Sequence, residues 1–212
     1  MIAVLNKLQD VLDACRKIDF LAPLALRLYL APVFIAVGLH KATHFADIVS
    51  WFEYSLELPL PQLMAFLATA AELVGGFALL FGFAVRWVSI PLIITMLVAI
   101  FSAHWDNGWF AIAPSDPNTS VAKVLAPIGF PGAVESLQNS VEVGQRLDRA
   151  RDILREYGNY SWLTEKGSVV ILNNGIEFAA TYLVMLLTLF FIGAGRYLSC
   201  DYWIAKKYRN AR

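Results

Sequence analysis

The chain has 212 residues, 58% of them hydrophobic and 16% charged, with 17 Lys and Arg set against 17 Asp and Glu. A soluble domain carries about a quarter charged residues, so this deficit, gathered into a few long apolar runs, argues against a water-soluble globule and for an integral membrane protein. Zero net charge leaves no global basis for nucleic-acid binding.

Residues 1–19 read as an amphipathic helix. Leu5, Leu8, Leu12 and Cys15 recur at helical spacing, with Lys7, Gln9, Asp13 and Arg16 between them, a pattern that suits the membrane surface or, failing that, a flexible arm. No uninterrupted apolar stretch precedes a small-residue cleavage site, so no signal peptide is expected and the first span directs insertion. Four apolar runs follow, at about 20–39, 62–84, 86–102 and 175–195. Each is near the ~20 residues that a ~30 Å hydrocarbon core requires of a helix. The expected fold is all-α: a four-transmembrane-helix bundle with an amphipathic N-terminal helix, forming one membrane domain over residues 1–212. No internal repeat is visible.

Basic residues set the orientation. Lys7, Arg16 and Lys17 precede the first span, Arg86 lies at the second turn, and Arg196, Lys206, Lys207, Arg209 and Arg212 follow the last. The first-to-second loop holds only Lys41. Both termini are therefore expected in the cytoplasm, with the loop at 103–174 outside. Cys15 and Cys200 then fall on the reducing side. Within that long loop a helix is expected over 140–157. Val143, Leu147, Ala150, Leu154 and Tyr157 form its stripe, and Glu142 with Arg146 and Asp152 with Arg155 sit at pairing distance. Residues 113–118 and 127–132 are rich in turn formers.

Two charges fall inside spans. Arg27 lies about 11 Å from the inner end of the first and Glu72 about 15 Å from the outer end of the second, at ~1.5 Å per residue. Both are near mid-depth, where an unpaired charge is costly, so a mutual Arg27–Glu72 pair is expected. It would be either a static lock or a site for a proton or a polar headgroup. Ala68, Ala71, Gly75, Gly76, Ala78 and Gly82 form a small-residue stripe for close helix packing.

A second cluster lies at the outer ends: His40 and His44 at i,i+4, His104 closing the third span, Glu177 opening the fourth. Imidazole and carboxylate can ligate copper, zinc or iron, or carry protons. The plainer reading is three interfacial histidines anchoring helix ends. Trp51, Trp105, Trp109 and Trp162 crowd the same side, as interfacial belts do; a flat quinone ring could also stack there. No phosphate loop, dinucleotide fingerprint, zinc-protease helix, nucleophile elbow or paired-cysteine motif is present.

Residues 26–41 (LRLYLAPVFIAVGLHK), 72–86 (ELVGGFALLFGFAVR) and 89–114 (SIPLIITMLVAIFSAHWDNGWFAIAP) resemble the DoxX-like family of small bacterial membrane proteins. Arg27, Glu72 and Arg86 match that family's recurrent polar positions. The long loop, residues 172–187 (LNNGIEFAATYLVMLL) and residues 201–207 (DYWIAKK) resemble its HvfX-type branch. That branch is associated with ribosomally made, modified, copper-binding peptides. The resemblance implies quinone-linked redox work or metal handling as an accessory in maturation of such a peptide. The candidate cofactors are quinone and copper, with membrane or periplasmic proteins of the peptide system as partners and self-association open. The competing expectation is a scaffold or export component without catalysis. A small-solute transporter is weakest, for want of an inverted repeat.

Overall fold

The computed structural model describes residues 2–208, with side chains from residue 5 onward. In chain order the helices are α1 (Ile2–Cys15), α2 (Leu21–Thr43), α3 (Phe45–Tyr54), α4 (Pro61–Phe81), α5 (Val85–Val98), α6 (Ala122–Leu125), α7 (Ala133–Tyr157), α8 (Tyr160–Leu163), α9 (Glu177–Ile192) and α10 (Cys200–Tyr208). There is no strand among the described residues, only an isolated bridge between Ile112 and Leu172. The chain divides into two compact units, Met1–Ala103 with Ala179–Arg212, and His104–Phe178.

The helices α2 and α4 and the stretch Val85–Asn107 are long and apolar enough to cross a membrane. The run expected at 175–195 forms a shorter apolar helix of 16 residues, α9. It stops early because Gly193 (φ +79°) and Gly195 (φ +84°) leave helical backbone. Toward the other end of the first span, the helix runs past the expected limit of 39 and takes in His40 and Lys41. It breaks only at His44 (φ −115°, ψ 37°), where α3 begins.

The core of the first unit is the α2–α4 pair. The α2 face made of Pro23, Arg27, Leu30, Ala31, Phe34 and Gly38 is buried, as is the α4 face of Ala65, Thr69, Glu72, Gly75, Gly76, Ala78 and Leu79. The expected small-residue stripe sets how closely they pack. A Cβ on Gly38 would lie 2.9 Å from the Leu73 backbone nitrogen, and one on Gly76 would lie 2.9 Å from that of Ile35. Each glycine thus admits the partner's backbone, the small-residue route to association where lipid supplies no hydrophobic drive. On α5, Val85, Ser89, Leu92 and Met96 are buried at helical spacing. The Ser89 hydroxyl donates to the Val85 carbonyl, so it costs the core no unpaired group. Beyond Val98 the helix widens into a π-helical segment, Ala99–His104.

The helix α1 forms as the spacing predicts, with Leu5, Leu8 and Leu12 all exposed. In the second unit, α7 starts seven residues before the expected 140 and buries Ala133, Ser140, Val143 and Leu147. Its Glu142–Arg146 (2.8 Å) and Asp152–Arg155 (3.2 Å) pairs form as the spacing predicts.

Candidate functional site

The most deeply buried acid is Glu72, 2% exposed in the middle of α4. Eleven residues separate it from Pro61 and nine from Phe81, placing it about 16 and 14 Å from the two helix ends at ~1.5 Å per residue. Its Oε1 accepts a 2.7 Å hydrogen bond from Lys41 Nζ, whose side chain is 16% exposed. Its Oε2 is buried and has no hydrogen-bond partner among the described residues. This carboxylate therefore has one oxygen bonded to a cation and the other buried without a partner among the described residues. Lys41 has three N–H donors, of which Glu72 takes one.

The mutual Arg27–Glu72 pair expected from sequence is not formed. The Arg27 guanidinium, 2% exposed, instead donates from Nε to Leu79 O (3.0 Å), from Nη1 to Ala194 O (2.6 Å) and from Nη2 to Leu198 O (2.9 Å). It makes no ion pair with a carboxylate among the described residues. The physical reason is register. Antiparallel packing sets Gly38 against Leu73 and Ile35 against Gly76, so Arg27 falls opposite Leu79 and Gly82, well away from Glu72. There Leu79 O, in the last turn of α4 at the negative end of its dipole, and the Ala194 and Leu198 carbonyls beyond α9 satisfy the cation without an anion.

The partner of Glu72 is Lys41, which the sequence pattern assigns to the first-to-second loop. The signal was present: Lys41 lies fourteen residues after Arg27, close to four helical turns, on the face that carries Leu30, Phe34 and Gly38.

At the α4–α5 turn, Gly82 (φ +65°) and Ala84 (φ +48°) reverse the chain. Asp201 holds this turn. Its carboxylate oxygens accept from Ala84 N (2.6 Å) and Val85 N (2.9 Å), while its own N–H donates to Gly82 O (3.0 Å). An anion thus sits on two of the orphan donors of a helix N-terminus. Arg86 donates from Nε to Phe190 O (2.8 Å). Arg196 pairs with Asp19 at 2.5 Å, and that hydrogen bond raises its guanidinium above the usual arginine value.

The candidate metal or proton residues fall into two settings. His40 and His44 lie together at the end of α2, ring centroids 4.5 Å apart, with His44 Nδ1 3.1 Å from His40 O. His104 and Glu177 serve a clamp in the second unit. His104 Nδ1 lies 2.8 Å from Asn174 O, and Glu177 Oε2 accepts from Ala111 N at 2.9 Å. Around them Asn173 Nδ2 donates to Asn107 O and Phe110 O, Gly175 N to Phe110 O, and Ile176 N to Gly108 O. Among the described residues no group of three or more His, Cys, Asp or Glu side chains is placed to hold a metal ion. Trp51, Trp105, Trp109 and Trp162 are all exposed.

The segment that unites Arg27, Lys41, Glu72 and Arg86 on packed apolar helices carries the decisive comparison. Residues 22–105 match the DoxX family. The DoxX segment includes all of α3, α4 and α5 and nearly all of α2, and with it the whole Lys41–Glu72 site. The protein is accordingly a membrane protein with a DoxX segment, and its long apolar helices suit a lipid bilayer. No curated protein matches the chain, and no solved structure does.

Proposed function

We propose that this DoxX-segment protein is a quinone-linked redox accessory of a bacterial inner membrane, with Lys41 and Glu72 as the headgroup site. The single observation that supports the reading is Glu72 Oε2, a buried carboxylate oxygen without a partner beside an ammonium that still has donors to give. These residues fit the group: a quinone carbonyl can accept from Lys41 Nζ, and a quinol hydroxyl can donate to Glu72 Oε2. A bound quinone supplies two-electron, two-proton redox chemistry. Glu72 holds or releases a proton at Oε2, Lys41 keeps the local charge balanced, and the apolar helices exclude water from the exchange.

The wider role follows the resemblance of residues 172–187 and 201–207 to the HvfX-type branch. In this reading the protein crosses the membrane four times, with α9 as the fourth span and both termini cytoplasmic. It serves maturation of a copper-binding modified peptide. The two-histidine face of His40 and His44 meets the peptide or its metal, and no step is assigned to copper.

A scaffold reading is favoured by a different observation. His104 and Glu177 are both engaged in holding the 104–113 and 171–177 segments together, which suits an ordered docking surface for partners.

Quinone extraction from the protein purified in native lipid tests the primary reading. The expected result is stoichiometric quinone in the wild type and its loss in Glu72→Gln with folding retained. Absence of quinone from a folded wild type, or retention by folded Glu72→Gln, overturns it and leaves the scaffold.

A further inference from the structure

The α4–α5 turn and α10 frame a second feature, distinct from the Lys41–Glu72 pair. An open cleft of about 560 Å3 lies between the start of α5 and α10, lined by Ala84, Arg86, Trp87, Asp201, Ile204 and Tyr208 among others. We infer that this cleft binds the phosphate headgroup of an anionic phospholipid.

Charge is the first argument. Arg86 is anchored by its Nε to Phe190 O, and its ring neighbour Phe190 lies 5.7 Å from the guanidinium carbon. This leaves the two terminal nitrogens of Arg86 without a hydrogen-bond acceptor among the described residues, held on a fixed stem. Such a planar fork matches two phosphate oxygens at once. The acid in the cleft does not cancel it, because both Asp201 oxygens are taken by the Ala84 and Val85 amides at the α5 N-terminus. Lys206 and Lys207, exposed in the last turn of α10, add cations nearby. Basic residues at this depth attract anionic lipid by about a factor of five each.

The second argument separates a lipid from a free anion. Trp87, 77% exposed, opens a stripe that continues through Ile90, Ile94, Val98 and Phe101 on one side of the α5 helix and its π-helical extension, every one exposed. The spacing of three or four residues makes this a continuous apolar track starting at the cleft. An acyl chain can lie along it while its headgroup sits at Arg86. Trp87 and Tyr208 are amphipathic rings of the kind that settle at headgroup level. A soluble phosphate uses none of this track.

The test is native mass spectrometry of the full-length protein released from micelles, after equilibration with phosphatidylglycerol or phosphatidylcholine, and with inorganic phosphate as competitor. The expected result is retention of phosphatidylglycerol over phosphatidylcholine. Retention falls roughly fivefold in Arg86→Gln, falls in Lys207→Gln, and is unchanged in Lys7→Gln on α1. Lys207 is exposed on the terminal helix, so its variant keeps the test open if Arg86→Gln fails to fold. Equal retention of the two lipids, undiminished phosphatidylglycerol in both cleft variants, or full displacement by millimolar inorganic phosphate would each overturn the assignment.

Discussion

Lys41 Nζ and Glu72 Oε1 meet at 2.7 Å between α2 and α4, and the second oxygen of the same carboxylate meets nothing among the described residues. The pair is asymmetric in burial as well. The acid sits 2% exposed at mid-helix, while the lysine reaches it from near the end of α2. An ion pair of this type is a poor investment for stability alone, because desolvation offsets most of its attraction. That makes its buried, unpartnered oxygen the more telling part.

Removing one partner leaves the other as a buried, uncompensated charge. Lys41→Met should therefore destabilise the protein by about 3–5 kcal/mol, and Lys41→Met with Glu72→Gln should recover a large part of that loss. Reversible unfolding in mixed micelles, arranged as a double-mutant cycle, measures the coupling. The same cycle on Arg27→Met and Glu72→Gln should be additive within about 0.5 kcal/mol, since those residues share no bond. Strong coupling between Arg27 and Glu72 would contradict the arrangement described above.

Arg27 presents a different kind of dependence. Its three nitrogens reach three separate carbonyls, Leu79, Ala194 and Leu198. A lysine keeps the charge but places all its donors on one atom. Arg27→Lys should therefore lose at least one charge-assisted bond, about 1.5–3 kcal/mol each, and lower the melting temperature nearly as far as Arg27→Met. Full recovery of wild-type melting by the lysine variant would show that charge alone matters here.

Gly175 is fixed by closeness. A Cβ there would stand 2.5 Å from Phe110 O and 2.6 Å from Gly108 O. Gly175→Ala should open the clamp in the second unit. Hydrogen exchange should then rise at the amides of Asn173, Asn174, Ile176 and Glu177, whose acceptors lie in 108–111, while amides of α4 keep their protection. Unchanged exchange at these four amides would mean that the clamp tolerates a side chain.

What could be read from the sequence followed from local pattern. Hydropathy placed α2, α4 and the stretch Val85–Asn107, because each is long and apolar enough to cross a bilayer. An apolar stripe with paired charges indicated α7 from residue 140 onward, and the small-residue stripe on α4 indicated close helix packing without naming the partner helix. Depth along each helix matches Arg27 with Glu72, but register between helices decides which groups meet and sets Arg27 against Leu79. The apolar run ends before Lys41, yet the helix carries on to Thr43, so hydropathy alone does not show that Lys41 is helical. The engagements of His104 and Glu177 depend on carbonyl and amide groups 66 to 70 residues away. Backbone partners of that kind leave no side-chain signature to read.

The three acceptors of Arg27 also impose an order on biogenesis. Leu79 is 52 residues downstream, but Ala194 and Leu198 are 167 and 171 residues downstream. As the chain leaves the ribosome, the early helical hairpin can offer this cation one carbonyl. The other two arrive only with the last apolar helix. A nascent chain halted before residue 194 therefore carries a guanidinium within its first hairpin that lacks two of its three acceptors.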